Sequence, residues 1–406
     1  MLLGEFDMVS EKYKVLGMSD SPNVITGYAN MARNLFTRLQ DDDRFDLSFL
    51  GLQFSGQPTE YMKLENGPLL NFRMLPTGSA RFGEDMLPFY LQKYKPDLTY
   101  VLLDSFMVQW MLNLDWSPTK MLMHFPSDGF PIPAGSEPLM KKFDYVVAMS
   151  KFAQKQLVDL GIDASYIPAG VETNKFYPLR ENEKIKIKEK WSQLLQIDLN
   201  NKFVIGCVGR MQGRKFYGEL LKAVEKFVED KNDVVLIIHA DPNDPANPGF
   251  ILPELIKLRK LEHLIRFTGN RYTLGFTEKE MNEVYNLFDV FALTSSGEGF
   301  GIPFIESMAC EVPIITTDFT TVQEIITDNN AGIAVPIMNT ITGTYNVERG
   351  IADLDKFVEA LQSLYDNPIE RKRLGKNGRT ATIRDYDWSK VVYPTWNKYL
   401  LKVLDG

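Results

Sequence analysis

Short apolar blocks alternate with longer amphipathic stretches along the whole chain, the pattern of parallel strand–helix–strand units. In the first half these blocks predict strands at Tyr13–Met18, Phe45–Leu50, Leu98–Leu103, Lys120–Phe125, Tyr145–Met149 and Tyr166–Ile167. In the second half they are sharper, at Phe203–Val208, Val234–His239, Ile265–Thr268, Val290–Thr294, Val312–Thr316 and Gly332–Val335. Consecutive apolar, often β-branched positions suit strands covered on both faces. Gly27–Leu39 puts Met31, Leu35 and Leu39 on one face and predicts a helix. Glu181–Leu195, rich in Lys and Glu, predicts a solvated helix with no functional signal. Asp387-Trp388 opens a last helix running to about Leu404, whose Trp388, Trp396, Tyr399 and Leu400 carry more apolar surface than a free tail would. That helix is expected to pack across an interface.

The interface follows from length and punctuation. The chain has 406 residues, enough for two domains. Pro168, Gly170 and Pro178 interrupt a polar connection over 168–179. The expected division is a Rossmann-like α/β domain over 1–175, a second Rossmann-like one over 176–385 and the returning helix over 386–406. Two open parallel sheets facing each other would gather their strand carboxyl ends around one cleft.

Composition then removes several classes of function. Hydrophobic residues at 44% and charged ones at 24% are ordinary for a globular chain. A net charge of −8 excludes a nucleic-acid binder that works by field strength. No apolar run reaches the roughly 18 residues a spanning helix needs. Met1–Asp7 lacks the basic flank and long apolar core of a signal peptide. The expected location is the cytoplasm, or the periphery of a membrane. Cys207 and Cys310 are too few for a disulfide framework or a cysteine metal site, and both read as buried, reduced thiols.

The chemistry concentrates in two glycine turns. Ser295-Ser296-Gly297-Glu298-Gly299-Phe300-Gly301-Ile302-Pro303-Phe304-Ile305-Glu306 follows a buried strand. Pro303 marks a helix start, and Ile305, Met308, Ala309 and Val312 form its apolar stripe. Glycines let backbone N–H groups approach an anion where the helix dipole favours it. Glu298 in the loop and Glu306 in the first turn are placed to accept bonds from sugar hydroxyls. The second turn, Gly209-Arg210-Met211-Gln212-Gly213-Arg214-Lys215, follows Phe203–Val208 and precedes another helix. Arg210 and Lys215 there suit a diphosphate, Arg by bidentate bonds and Lys as a point charge. Arg214 reads as ordinary surface.

Together, GRMQGRK and EGFGIPFIE resemble the paired motifs of glycosyltransferase family 4, in which a "GR…K" turn and an E-x7-E segment line one nucleotide-sugar site. IPAGVETNKFYP is similar to the family's interdomain segment. The resemblance implies a GT-B fold and retaining transfer of a sugar from a nucleotide-diphosphate donor to a glycan, protein or lipid-linked acceptor. It implies no obligatory metal and no other cofactor. It implies that Arg210 and Lys215 bind the diphosphate and Glu306 the ribose. Glu298 and the backbone of Gly299, Phe300 and Gly301 would hold the sugar. Thr26-Gly27-Tyr28 looks like the family's N-terminal glycine loop, and His124 resembles its active-site histidine. Asp128 is a second-rank candidate for a carboxylate beside it. Glu311 and Thr320-Thr321 stand where glycines are common in the family, which leaves the donor sugar open. A nucleotide-sugar epimerase and a non-catalytic nucleotide-sugar binder are the alternatives.

Overall fold

The computed structural model describes residues 12–65, 67–244, 251–269 and 275–406. Met1–Asp7, read above for a leader, lies outside the described residues. The first sheet contains β1 (Tyr13–Asp20), β2 (Phe45–Leu52), β3 (Arg73–Pro76), β4 (Leu98–Val101), β5 (Lys120–Phe125), β6 (Tyr145–Ala148) and β7 (Ala164–Tyr166). Its order is β3-β2-β1-β4-β5-β6-β7, parallel throughout. The second contains β8 (Phe203–Val208), β9 (Val234–His239), β10 (Ile265–Phe267), β11 (Val290–Leu293), β12 (Ile314–Thr317) and β13 (Gly332–Val335). Its order is β10-β9-β8-β11-β12-β13, also parallel. An antiparallel hairpin, β14 (Ile337–Thr342) and β15 (Glu348–Ala352), follows at once.

Both sheets reverse winding direction beside their first strand, between β1 and β4 and between β8 and β11. Outside the strand carboxyl ends at such a reversal the neighbouring loops part and leave a crevice. The helices that matter for the site start there: α1 (Gly27–Leu39) after β1, α2 (Lys151–Asp159) after β6, α3 (Tyr217–Phe227) after β8 and α5 (Ile302–Ala309) after β11, with α4 (Glu278–Asn286) alongside α5. Thr26 caps α1, its hydroxyl accepting from Ala29 N–H at 3.0 Å.

The chain returns to the first domain at its end, through α6 (Pro368–Asp385) and α7 (Tyr393–Asp405). Val171 N–H donates to Tyr386 O at 2.8 Å and Trp388 N–H to Val171 O at 3.1 Å, so the connection and the return run side by side. A Cβ on Gly170 would sit 2.8 Å from the Trp388 ring, so only glycine permits this contact. Trp396 of α7 is fully buried against Tyr100 and His124 of the first sheet, with ring centroids 5.5 and 4.9 Å away. Lys120 Nζ donates to Val403 O at 2.7 Å. Truncating a Trp so enclosed costs about 3–5 kcal/mol, so α7 is part of the first domain's core although the chain reaches it last.

Some expectations need correction. β3 was not anticipated, being four residues long and ending in Pro76. Nor was the hairpin, whose first strand is exposed at every position and has no buried face to mark it. Glu181–Leu195 is a helix but not a freely solvated one, since it buries Ile187, Trp191 and Leu195. Val312 falls beyond α5, which stops at Ala309. Just beyond α1, Asp42 pairs with Arg44 at 2.6 Å and accepts from Asn397 at 3.1 Å, tying the end of that helix to α7. Cys207 and Cys310 are free and buried. Burial pushes the Cys207 thiol up to about 12.

Candidate active site

The two glycine turns are sewn together by the main chain. Ser296 N–H donates to Arg214 O and the Thr294 hydroxyl to Phe216 O, both at 2.8 Å. This stitching brings together side chains 83 positions apart: Lys215 Nζ lies 2.5 Å from Glu298 Oε1. Lys215 and Glu298 retain only 5% and 6% of their exposure. Burial alone would raise the Glu298 carboxyl, but the charges of Arg214 and Lys215 outweigh it and hold the group down to about 2. Burial, joined by the neighbouring Arg214, lowers the Lys215 ammonium from its ordinary value against the pull of Glu298. The contact is therefore a buried pair between charged groups. Such pairs are costly to break from one side.

The rest of the loop is shaped by backbone demands. Gly301, at φ 100°, caps α5, and a side chain there would strike Phe304. A Cβ on Gly299 would lie 3.1 Å from Pro126 of the first domain. The Phe300 side chain is buried against Tyr386 at 5.6 Å, so its main chain is what it offers the cleft. Glu298 N–H donates to Thr320 Oγ1 at 3.0 Å. Thr320 and Glu311, which stand where the family favours glycine, have φ of 57° and 60°, the left-handed conformation that costs other residues about 1–2 kcal/mol. Glu306 is half-buried in the first turn of α5, and the Tyr285 hydroxyl donates to it at 2.6 Å. Burial pushes the Glu306 carboxyl up to about 7.

Arg210 stands at the end of β8 but does not join the Lys215–Glu298 pair. It contacts Asp244 at 3.0 Å and lies near enough to Asp20 at the end of β1 for its charge to be felt there. Gly27 opens α1 facing the start of α5, where a Cβ would meet Ile302 Cδ1 at 3.7 Å. Two helix N-termini thus face each other across the gap.

His124 is the candidate that the structure keeps apart. It is completely buried, its Nδ1 bonded to the Tyr100 hydroxyl at 2.8 Å and its ring edge-on to Trp396. Burial pulls its imidazole down to about 3, so it is neutral. In alternating β geometry its side chain belongs to the face that α7 covers, where it meets Tyr100 and Trp396. The carboxylate that does reach the cleft is Asp128, in the loop after the same strand. Asp128 Oδ2 lies 3.4 Å from Arg214 Nε, and Oδ1 lies 2.9 Å from Arg349 Nη2.

Arg214 is therefore no surface residue. Its Nη1 lies 2.9 Å from Glu298 Oε2, and it donates to Gly297 O at 2.9 Å. Asp104, accepting from the Tyr28 hydroxyl at 2.7 Å, is raised to about 6 by burial and the Asp128 charge. Arg214, Arg349, Asp20, Asp104 and Tyr285 were not anticipated. Position at a strand's carboxyl end marked Asp20, and adjacency to Lys215 marked Arg214, whereas Arg349 sits in a segment without any motif. Among the described residues, no three potential metal ligands cluster, and no helix is long and apolar enough to cross a membrane.

Comparison with known proteins bears on the same segments. Residues 188–381 match the family described as Glycosyl transferases group 1. The capsular polysaccharide biosynthesis glycosyltransferase CapM of Staphylococcus aureus is 26% identical over 241 residues, 58% of this chain and 52% of that protein. The alpha-maltose-1-phosphate synthase of Mycolicibacterium smegmatis is 23% identical over 57% of this chain and 54% of that one. The chain thus spans about half the length of the curated relatives it matches. Among solved structures, the sucrose-phosphate synthase of Thermosynechococcus elongatus superimposes with a TM-score of 0.76 at 16% identity, over 97% of this chain and all 100% of that one. HepE of Anabaena, in complex with UDP-glucose, gives 0.71 at 14% identity, over 96% and 99%. With paired parallel-sheet domains that superimpose on solved structures over nearly its whole length, the chain has the GT-B fold, and its residues 188–381, which take in both glycine turns, match the group 1 glycosyl transferases of family 4.

Proposed function

We propose that this protein is a retaining glycosyltransferase that moves a sugar, of the hexosyl class, from a nucleotide-diphosphate donor to a hydroxyl acceptor without a metal. Lys215 and Arg210 take the diphosphate, Glu306 the ribose hydroxyls, and Glu298 with the main chain of Gly299, Phe300 and Gly301 the transferred sugar. Gly27 lets the start of α1 approach the phosphates. The observation that carries this reading is the buried Lys215–Glu298 pair at the carboxyl edge of β8 and β11, beneath the N-terminus of α5.

The chemistry follows from charge. As the glycosidic bond breaks, positive charge develops on the sugar and negative charge on the departing diphosphate. Cations and backbone N–H groups fixed at the leaving group lower that barrier directly, because they need no reorganisation as the charge appears. Lys215 serves two anions of the reaction, the leaving phosphate and Glu298, and holds them near the same carbon. Glu298 stays ionised at all working pH values and can accept from sugar hydroxyls. His124 is left out of the reacting set because it is enclosed by Tyr100 and Trp396. The acceptor hydroxyl enters from the first domain, between the loops around 54–81 and 125–138. The protein would work in the cytoplasm or at a membrane surface, on a glycan, protein or lipid-linked acceptor.

The test is to incubate the purified chain with UDP- and GDP-sugars and candidate acceptors, with and without EDTA, and to follow nucleotide diphosphate release and product configuration. An α-sugar donor should give an α-linked product whose yield survives the chelator. Interconversion of sugar nucleotides with no acceptor product would indicate an epimerase. Binding of UDP or GDP with no turnover would indicate a non-catalytic binder. Activity that survives both Arg210→Ala and Glu306→Ala overturns the assignment of the donor site.

A further inference from the structure

We infer that Arg349 is a positioning residue of this site: from the hairpin β14–β15 it clamps Asp128 of the first domain over Arg214 and Glu298, and so registers the two sheets against each other at the sugar end of the cleft. The inference rests on the glycosyl-transfer reading and adds to it a residue, on an element outside the E-x7-E and GR…K turns.

The hairpin grows from the second domain but is bonded to both. On one side, Gly350 N–H donates to Ser296 O at 3.0 Å, two residues before Glu298. On the other, Glu348 N–H donates to Phe130 O at 2.6 Å, and Ala134 N–H donates to Tyr345 O at 2.9 Å. The rings of Tyr345 and Phe106 stack at 4.9 Å. β15 therefore acts as a strap between the loop after β11 and the loop after β5. Arg349 lies at the centre of that strap. Its Nη1 donates to the main-chain O of Asp128 at 2.6 Å, and its Nη2 meets Asp128 Oδ1 at 2.9 Å. One guanidinium thus holds both the backbone and the carboxylate of a single residue, which a lysine's point charge cannot do.

Glycines on both domains allow this approach. A side chain on Gly129 would collide with Val347 of the hairpin, and one on Gly297 with the carbonyl oxygen of Asp128. The second carboxylate oxygen of Asp128 faces Arg214 at 3.4 Å, and Arg214 reaches Glu298 at 2.9 Å. Arg349, Asp128, Arg214 and Glu298 form a row of alternating charges that runs from the strap to the sugar-binding carboxylate. Arg349 is separated from Glu298 by two residues, so it acts through others. Displacements of about 1 Å at a reacting centre cost roughly a hundredfold in rate, which is the scale on which such a clamp matters.

The experiment compares wild type, Arg349→Ala, Arg349→Lys and Asp128→Asn by three measurements. Amide hydrogen exchange reports the joint, titration with UDP and GDP reports the diphosphate site, and steady-state kinetics report turnover. Arg349→Ala should speed exchange at 128–134 and 345–350 without moving the global unfolding midpoint. It should lower kcat about tenfold or more and leave affinity for UDP or GDP within about twofold. Arg349→Lys should recover part of the kcat, and Asp128→Asn should lose as much as Arg349→Ala. Unchanged exchange at the joint, or unchanged kcat despite faster exchange, overturns the inference, as does an equal loss of nucleotide affinity. A wild-type chain that binds neither UDP nor GDP and turns over no sugar nucleotide overturns instead the reading beneath it.

Discussion

The carboxyl edges of the two sheets are built on the same winding but carry opposite chemistry. The edge of the second sheet presents cations, Arg210, Arg214 and Lys215, on one turn, with Arg349 on the hairpin beyond β13. The edge of the first presents Asp20, Asp104 and Asp128, and the guanidinium groups that face them come from the second sheet. At the second edge the main chain does the organising: two turns are stitched by backbone bonds, and a buried ion pair completes them. At the first edge side chains do it: Thr26 and Tyr28 of the same domain donate to Asp20 and Asp104, and Arg214 and Arg349 of the other domain hold Asp128. The second edge is thus braced mainly from within its own domain, although Arg214 also meets Asp128 of the other. The carboxylate of Asp128 reaches its final environment only when the domains are together.

That contrast can be broken at several points. The largest effect should come from Lys215→Met, which removes a cation inside the second domain and leaves a buried Glu298 with Arg214 alone. Loss of such a stabilising group costs about 10²–10³-fold in kcat/KM, and steady-state assays should find it there. A loss confined to a few-fold would mean that the diphosphate rests mainly on Arg210 and the helix N-terminus.

Glu306 should give the next largest effect. Its folded value near 7 lies above the ordinary range for a glutamate, so between about pH 4.5 and 7 the folded chain holds a proton that the unfolded chain has lost. The stability that this confers is complete below about 4.5 and is lost as pH rises through 7. Urea unfolding of wild type should therefore weaken relative to Glu306→Gln between pH 5 and 8. A flat difference between the two would mean that the group is ionised throughout. Hydroxyl donors from a bound ribose favour the ionised form, so UDP or GDP affinity should strengthen over the same range in wild type more than in Glu306→Gln.

His124 sharpens the comparison from the first domain. Because it fills the core beneath α7, His124→Phe should change stability by about 1–2 kcal/mol, through the lost Tyr100 bond, with kcat within about threefold of wild type. A kcat reduced by more than tenfold with an unchanged unfolding midpoint would restore it to the reacting set.

The smallest effect is expected at Glu311. Its left-handed backbone invites glycine, and Glu311→Gly should stabilise by about 0.5–1 kcal/mol, read as a rise in melting temperature. Thr320→Gly relieves the same strain but deletes the acceptor of Glu298 N–H, so its gain should be smaller or absent.

Legibility followed burial. Strands such as Phe203–Val208 and Val234–His239 have the bounds that their apolar runs predicted, because covering both faces leaves an unbroken signal. β3 and the hairpin lacked that signal, one through shortness and the other through exposure. The two glycine turns were legible because a tight turn before a helix restricts residue type. The resemblance put the two turns at one site, but the ion pair between Lys215 and Glu298 was not legible, since they are 83 positions apart and meet through main-chain bonds that any sequence could make. His124 misled for a related reason: a strand alternates its faces, and which face looks at the cleft depends on what packs against the other.

Local pattern was enough to specify two parallel sheets, the turns that edge them and the residue types suited to a nucleotide diphosphate, because those features arise from periodicity, backbone restriction and charge within a few residues. Folding in three dimensions settled which charges are partners. It buried His124 under Trp396 and brought Arg214 into the site. It also carried Arg349 from an unmarked hairpin onto Asp128, because contacts between distant segments are set by how sheets and loops pack and leave no periodic trace in the chain.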